Sequence, residues 1–525
     1  MAGDRKKWLT LVAMTGALSM VLIDETVVSV ALPSIQRDLD LSSTTLQWVV
    51  NAYLLVLAAL VAVAGRLSDN LGRVRFFIAG VALFAVASAT AGFATEAWHI
   101  LLSRSVQGIG AAMMIPSSQA LVTIAFPVEE RGKAMGIYAG ISLAFLALGP
   151  LIGGALTEHL GWEFVLFVNL PVAAMTIGLT VVARPAGARV PAAGHFDWLG
   201  TLILVTGLAA SVFALMQSSA WGWTDPTVVG LLAAGVVLVI AFVGFELRRP
   251  NPLVDLSLFR SGNFAGDSFV LFVVQFALMG VSVFGAIYSQ DVLGFSPVEA
   301  GLALLPVTIP LLLLAIYAGK LYDRTGARGL VAFGTAATAA AFFGLAFVVL
   351  ELDYWYLVPF YVVLGIGISF IMTPANTDGM NASPASLRGQ ASGLLQTVRQ
   401  VGGTVGIAVL TSVILSVFHS TLDTKLADQG VPQSQVDEIR RSLTEASTDK
   451  SVYGELSPQQ VAVIRDDARE SFATGLRDAY FGLAALLALA CAVALTVLRP
   501  LVYTDQSPVP THPLAAHASE ARAAP

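Results

Sequence analysis

GRLSDNLGRVR, Gly65–Arg75, sets two glycines, an aspartate and three arginines between two stretches apolar enough to lie in lipid. GKLYDRTGARG, Gly319–Gly329, repeats the pattern Gly-basic-Leu-x-Asp-x-x-Gly 254 residues later, again between two apolar stretches. A second echo supports the first: RGKAMG at Arg131 and RGQASG at Arg388 both open an apolar stretch and lie 257 residues apart. Two motifs at nearly one displacement mark a chain built of two related halves, the sequence pattern of a membrane transporter with alternating access.

Composition points the same way. The chain is 56% hydrophobic and only 12% charged, with a mean hydropathy of +0.76, whereas an ordinary soluble domain carries about 25% charged residues. Segments of about 20 mainly apolar residues, enough to cross about 30 Å of hydrocarbon, recur along almost the whole length. Fourteen are read, at about 8–32, 44–64, 76–95, 98–119, 133–157, 162–183, 197–217, 226–246, 264–289, 298–319, 329–350, 354–375, 389–418 and 474–498. The first carries Asp24 and Glu25 and no small-residue cleavage site, so it is expected to stay as a helix. The lone Cys491 falls inside the last span, which leaves no intrachain disulfide.

Basic residues set the orientation. With an inside N-terminus the inner short links hold Arg66, Arg73, Arg75, Arg131, Lys133 and the basic residues of the second half, while the outer short links offer only Arg37. Both termini are therefore expected in the cytoplasm, with the chain in the cell inner (cytoplasmic) membrane. Six spans per half leave two over. The division is an N-terminal six-helix half at 1–183, a linker with two extra spans at 184–260, a C-terminal six-helix half at 261–503, and a disordered tail at 504–525. Within the second half, 419–473 is a long outer loop. There Val436, Ile439 and Leu443 have helical spacing, so short amphipathic helices or a solvated loop are the two readings.

Charge inside the spans is rare and costly, about 2.5–3.5 kcal/mol per Asp, Lys or Arg at mid-span. Asp24 lies about 12 Å and Arg104 about 9 Å from the outer ends of their spans, so the two can pair. A carboxyl that exchanges a proton for a cationic partner is what proton coupling requires, and a static buried ion pair is the plainer alternative. Glu25, one step along, is rotated by about 100° and is assigned to the substrate cavity. Gln107, at helical spacing from Arg104, gives span four a polar face, and Met113 lies further along it. Gln396, Arg399 and Gln400 form a stripe on span thirteen. These residues line a cavity or bond between helices. Asp267, just inside span nine, is read as a helix cap. In the paired loops Asp69 can accept from helix N-terminal amides and from arginine. That makes a breakable latch of Gly65, Asp69, Gly72 and Arg73, repeated at Asp323 and Arg324, against the plainer reading of topology alone. Gly149, Pro150, Gly153 and Gly154 predict a bend and close packing in span five.

On these residues the chain resembles the major facilitator superfamily, and within it the fourteen-span drug:proton antiporters (EmrB/QacA-like). GRLSDNLGRVR is similar to the signature between spans two and three, and LLSRSVQGIGAA from Leu101 to the span-four motif. GPLIGGAL from Gly149 is similar to the antiporter motif of span five, and LIDETVVSVALP from Leu22 to the span-one motif. The pattern departs at Glu163, where arginine is usual, and at Phe145 and Ala147 before Gly149. The resemblance implies an all-α integral membrane protein with the major facilitator fold. It also implies Asp24 as proton carrier with Arg104, and proton-coupled efflux of lipophilic, often cationic drugs or antibiotics. The implied partners are the bilayer, protons and small lipophilic substrates, with no nucleic acid, obligate protein, cofactor or metal. No phosphate loop, HExxH or GxSxG occurs, and the six histidines lie at or beyond span ends, which argues against an ATP-driven pump, a hydrolase and a zinc site. Transport of a specific metabolite or lipid, and a non-transporting membrane sensor, are the other two readings.

Overall fold

The computed structural model describes residues 2–185, 197–249, 252–428 and 458–499. It is helical throughout, because a chain in lipid must satisfy its backbone internally and a long apolar run does so only as helix. The helices are α1 (Ala2–Asp38), α2 (Ser43–Leu71), α3 (Arg73–Gly92), α4 (Ala97–Ala125), α5 (Arg131–His159), α6 (Glu163–Phe167) and α7 (Asn169–Ala183). There follow α8 (Trp198–Trp221), α9 (Pro226–Glu246), α10 (Gly262–Ile287), α11 (Pro297–Leu302), α12 (Leu305–Thr325), α13 (Arg328–Val348) and α14 (Tyr354–Asn381). The last two are α15 (Arg388–Asp428) and α16 (Pro458–Val497).

Among the described residues thirteen spans are long and apolar enough to cross a membrane unaided, α6 and α7 together forming one. The fourteenth is α5, bent by 41° between Leu146 and Leu151, the stretch that holds Gly149 and Pro150. Within the first group α1 packs on α5 and α7, and α4 on α2 and α3; within the second, α10 packs on α15 and α14, and α13 on α14 and α16. Between the groups α12 lies along α5 and α15 along α2 and α4. Helices α8 and α9 pair with each other, and α8 docks on α2 and α15. Only 17% of the apolar window of α9 is buried, so most of its surface is left for lipid.

The outer segment after span thirteen differs from the expected loop. Helix α15 runs on to Asp428 and α16 begins at Pro458, so both extend well past the apolar stretches read at 389–418 and 474–498. The two arms pack through Phe418, Leu422, Leu426 and Ile464, and Lys425 bridges Asp467 at 3.5 Å and also Glu470. Charged residues on their outer faces masked this helix in hydropathy. Val436, Ile439 and Leu443, the centre of the 184–194 link and the tail from 504 lie outside the described residues.

Candidate functional site

The densest buried polar cluster lies in the first half. Arg104 and Gln107, three residues apart on α4, share a face and meet Asp24 of α1; all three side chains are excluded from solvent. Arg104 Nη1 donates to Asp24 Oδ2 at 2.6 Å and to Gln107 Oε1 at 2.7 Å, and Gln107 Nε2 donates to Asp24 Oδ1 at 2.8 Å. Asn169, at the start of α7, donates to the same Oδ1 at 2.9 Å and to Ser88 Oγ at 3.0 Å. Arg104 Nε donates to the Val49 carbonyl at 2.9 Å, and the guanidinium lies 4.7 Å from the centre of the Tyr53 ring. The Asp24 carboxylate thus accepts three donors, and one charge-assisted contact neutralises it. Asn169 and Tyr53 were not singled out in the sequence; a lone amide in an apolar run was the available signal for Asn169.

Toward the seam between the groups the side chains are less enclosed. Glu25 is half-buried and within electrostatic range of Arg399, but the two form no ion pair. Arg399 instead donates to Gln275 at 3.3 and 3.4 Å and to Gln396 at 3.4 Å, and Gln400 is half-buried beside them. Gln107 is therefore part of the Asp24 cluster rather than of this open seam. Met113 packs where α4 passes Gly80 of α3. Gly149 and Gly153 lie against Thr26 and Val27 of α1, and Gly154 faces open space.

At one end of the bundle the two repeated loops close on each other's neighbours. Asp69 accepts from the amides of Gly389 at 3.2 Å and Gln390 at 3.0 Å, at the N-terminus of α15, and from Arg73 Nε at 2.8 Å. Arg73 Nη2 reaches the Ser386 carbonyl at 3.4 Å. In the second copy Asp323 accepts from the amides of Gly132 at 2.7 Å and Lys133 at 2.9 Å, at the N-terminus of α5. A carboxylate on free helix N-terminal amides gains from both hydrogen bonding and the helix dipole. Glycine is required where the backbones meet: a Cβ on Gly65 would strike the Gly389 carbonyl, and one on Gly132 or Gly319 would strike the other's carbonyl. Gly72, at φ 97°, makes the turn into α3. The copies differ in one respect. Arg73 stands four residues after Asp69, but the matching place after Asp323 is Ala327, and Arg324 is exposed and not brought to the latch. Two side-chain contacts join the same face, Arg131 Nη1 to Asn381 Oδ1 at 2.8 Å and Ser392 Oγ to Gln119 Oε1 at 2.6 Å. Among the described residues no group of three or more His, Cys, Asp or Glu is placed to hold a metal.

Helices in two groups, a seam between them, a buried ion pair and reciprocal loops at one end define a polytopic membrane transporter. The profile of the Major Facilitator Superfamily matches residues 14–407, and the chain belongs to that family. It is 34% identical to a tetracenomycin C resistance and export protein of Streptomyces glaucescens, over 93% of this chain and 91% of that protein. It is 36% identical to the puromycin resistance protein pur8 of Streptomyces alboniger, over 78% and 82%, and 30% identical to the multidrug efflux pump LfrA of Mycolicibacterium smegmatis, over 94% and 96%. A double-tryptophan mutant of XylE shares the fold with a TM-score of 0.62 at 14% identity, covering 96% of this chain and 98% of that one.

Proposed function

We propose that this protein exports lipophilic, often cationic drugs or antibiotics across the cytoplasmic membrane in exchange for protons, with Asp24 as the proton carrier and both termini inside. The observation that carries this reading is the Asp24–Arg104 contact at 2.6 Å, buried with Gln107 and Asn169 as further donors. An ionised carboxylate is stable there only while its donors stay in place, so a proton on Asp24 and the Arg104 contact are exclusive alternatives. Loss of the contact frees α4 from α1, which links protonation to helix movement. Resistance and export proteins at 30–36% identity support the substrate class. Glu25 at the seam offers a carboxylate for a cationic substrate, with Gln396, Arg399 and Gln400 opposite. The two halves rock about the seam, and the Asp69 and Asp323 latches hold the inner side shut. The Gly149-Pro150 break in α5, beside Thr26 and Val27, seals or bends against the helix that carries Asp24.

The test is uptake of ethidium into inside-out proteoliposomes under an imposed pH gradient, acid inside. Accumulation that collapses with the gradient supports the reading. Gradient-independent equilibration, or no flux of any lipophilic cation, overturns it, and flux of only one metabolite would assign the narrower substrate.

A further inference from the structure

A second pair of buried acids lies in the other half. Asp267 of α10 and Asp378 of α14 are both wholly excluded from solvent. They stand about 8 and 5 Å from the inner ends of their helices. Asp378 is held: Asn263 Nδ2 donates to its Oδ2 at 2.8 Å and Tyr322 Oη to its Oδ1 at 3.1 Å. Neither carboxyl oxygen of Asp267 has a donor among the described residues. Asp267 stands one helical turn after Asn263, the donor to Asp378, and its Cβ lies 3.8 Å from where a Cβ on Gly379 would stand, so the two acids share one solvent-free pocket. Two ionised carboxylates in that position would repel each other without solvent or counter-charge, whereas one shared proton turns the repulsion into a hydrogen bond.

Among the described residues no Lys, Arg or His forms an ion pair with either acid. From α12 comes the Tyr322 hydroxyl, and Arg388, which opens α15, forms no ion pair with either acid. After α16 the Arg499 backbone amide bonds Asn263 Oδ1 at 3.1 Å. The Asp255 carboxylate, before α10, accepts from Ser257, and the Asp255 backbone amide donates to Gln390 Oε1. The pair is nevertheless wired to the inner gate. Asn381 Nδ2 donates to Tyr322 Oη at 3.0 Å and Asn381 Oδ1 accepts from Arg131 of the opposite half. Arg131 and Gly132 of the opposite half thus cover Asn381 and the Tyr322 ring, the groups that lead to Asp378.

We propose that Asp267 and Asp378 form a second proton site, which holds one shared proton while the inner gate is closed and gives it to cytoplasmic water when the gate opens. The closed pair carries one negative charge and the open pair two, with the released proton accounting for the difference. Gate closure then takes one proton back from the cytoplasm, so this site moves no net charge across the membrane. It makes closure depend on internal pH. The closed state binds more protons, so raising cytoplasmic pH favours the open gate. The inference deepens the proton-coupled reading, yet its readout needs no substrate.

The experiment uses the full chain in nanodiscs, with Cys491→Ser and Asp24→Asn to silence the other proton site, and spin labels at Arg75→Cys and Gly329→Cys on the exposed inner face of the two halves. Inter-label distances are measured from pH 5 to 9. In this parent the long-distance population rises with pH; in Asp267→Asn, where the amide donates the bond with no added proton, the rise is lost or moved by at least one pH unit. Asp378→Asn gives the same result and serves where Asp267→Asn does not fold. A parent without a pH response, or variants whose curves superimpose on it, overturns the proposal. Because Asp24 is neutral throughout, failure here leaves the export reading standing, and failure of export leaves this curve unaffected.

Discussion

Arg104 reaches the Asp24 carboxylate at 2.6 Å from a helix eighty residues away in sequence, and neither side chain touches solvent. Every other polar contact in the cluster is arranged around that one, so it decides what substitution there must do.

Asp24→Asn keeps the size and one acceptor oxygen but cannot ionise. We expect proton-driven drug movement to fall at least 100-fold in vesicles while the protein still purifies as a folded monodisperse species. Gradient-driven transport at the parent rate would refute the assignment of Asp24.

Arg104→Ala strands the Asp24 carboxylate without its counter-charge, a change that costs about 3–5 kcal/mol when a buried pair is broken. Proton-driven transport then falls, and thermal unfolding in detergent occurs earlier. Arg104→Lys recovers only part, because lysine supplies the charge but not the fork that reaches Asp24, Gln107 and Val49 together. Additive losses of transport in the double variant Asp24→Glu with Arg104→Lys would show the two residues to be independent.

The two latches are unequal, and the inequality is measurable. Asp69→Asn loses an anion held by two amides and by Arg73, whereas Asp323→Asn loses one held by two amides. With about 1 kcal/mol or more per charge-assisted bond, both favour the inner-open state by roughly 5–20-fold, Asp69→Asn the more. Alkylation of a cysteine at Gln119, buried beneath that face, reports the opening. Equal rates in both variants would count against the role given to Arg73.

Gly132→Ala and Gly319→Ala place a methyl against the opposite backbone carbonyl. Closure of the inner face should be the step that suffers, raising the alkylation rate of the same probe about tenfold while drug affinity changes less than twofold. A reduced rate, or a large loss of affinity with unchanged opening, would place these glycines elsewhere in the cycle.

Much of this was legible because lipid imposes simple rules. The all-helical class followed from apolar run length, and the two facing loops from a repeated Asp in a basic link. Equal depth of Asp24 and Arg104 anticipated their contact. Asn169 escaped because an amide in an apolar run leaves no periodic signal. Asp378 escaped because span twelve was ended at 375, whereas α14 carries on to Asn381 under cover of neighbouring helices. Arg324 was drawn into the latch by sequence adjacency to Asp323, although the residue that matters in the first copy stands four places on, one helical turn away. The sequence leaves 419–473 open between amphipathic helix and solvated loop because hydropathy measures contact with lipid and is blind to helix that packs on helix in water.

Helix α15 is continuous for 41 residues, about 60 Å, and carries the inner latch amides at one end and Lys425 of the outer arm at the other. A rod of that length is a lever. A tilt of about 10° during gate release would sweep the far tip through roughly 10 Å if the helix moves as one body. The arm formed with α16 would then act as a pointer outside the membrane, where an antibody fragment or a fluorophore can read the state of a gate on the opposite side.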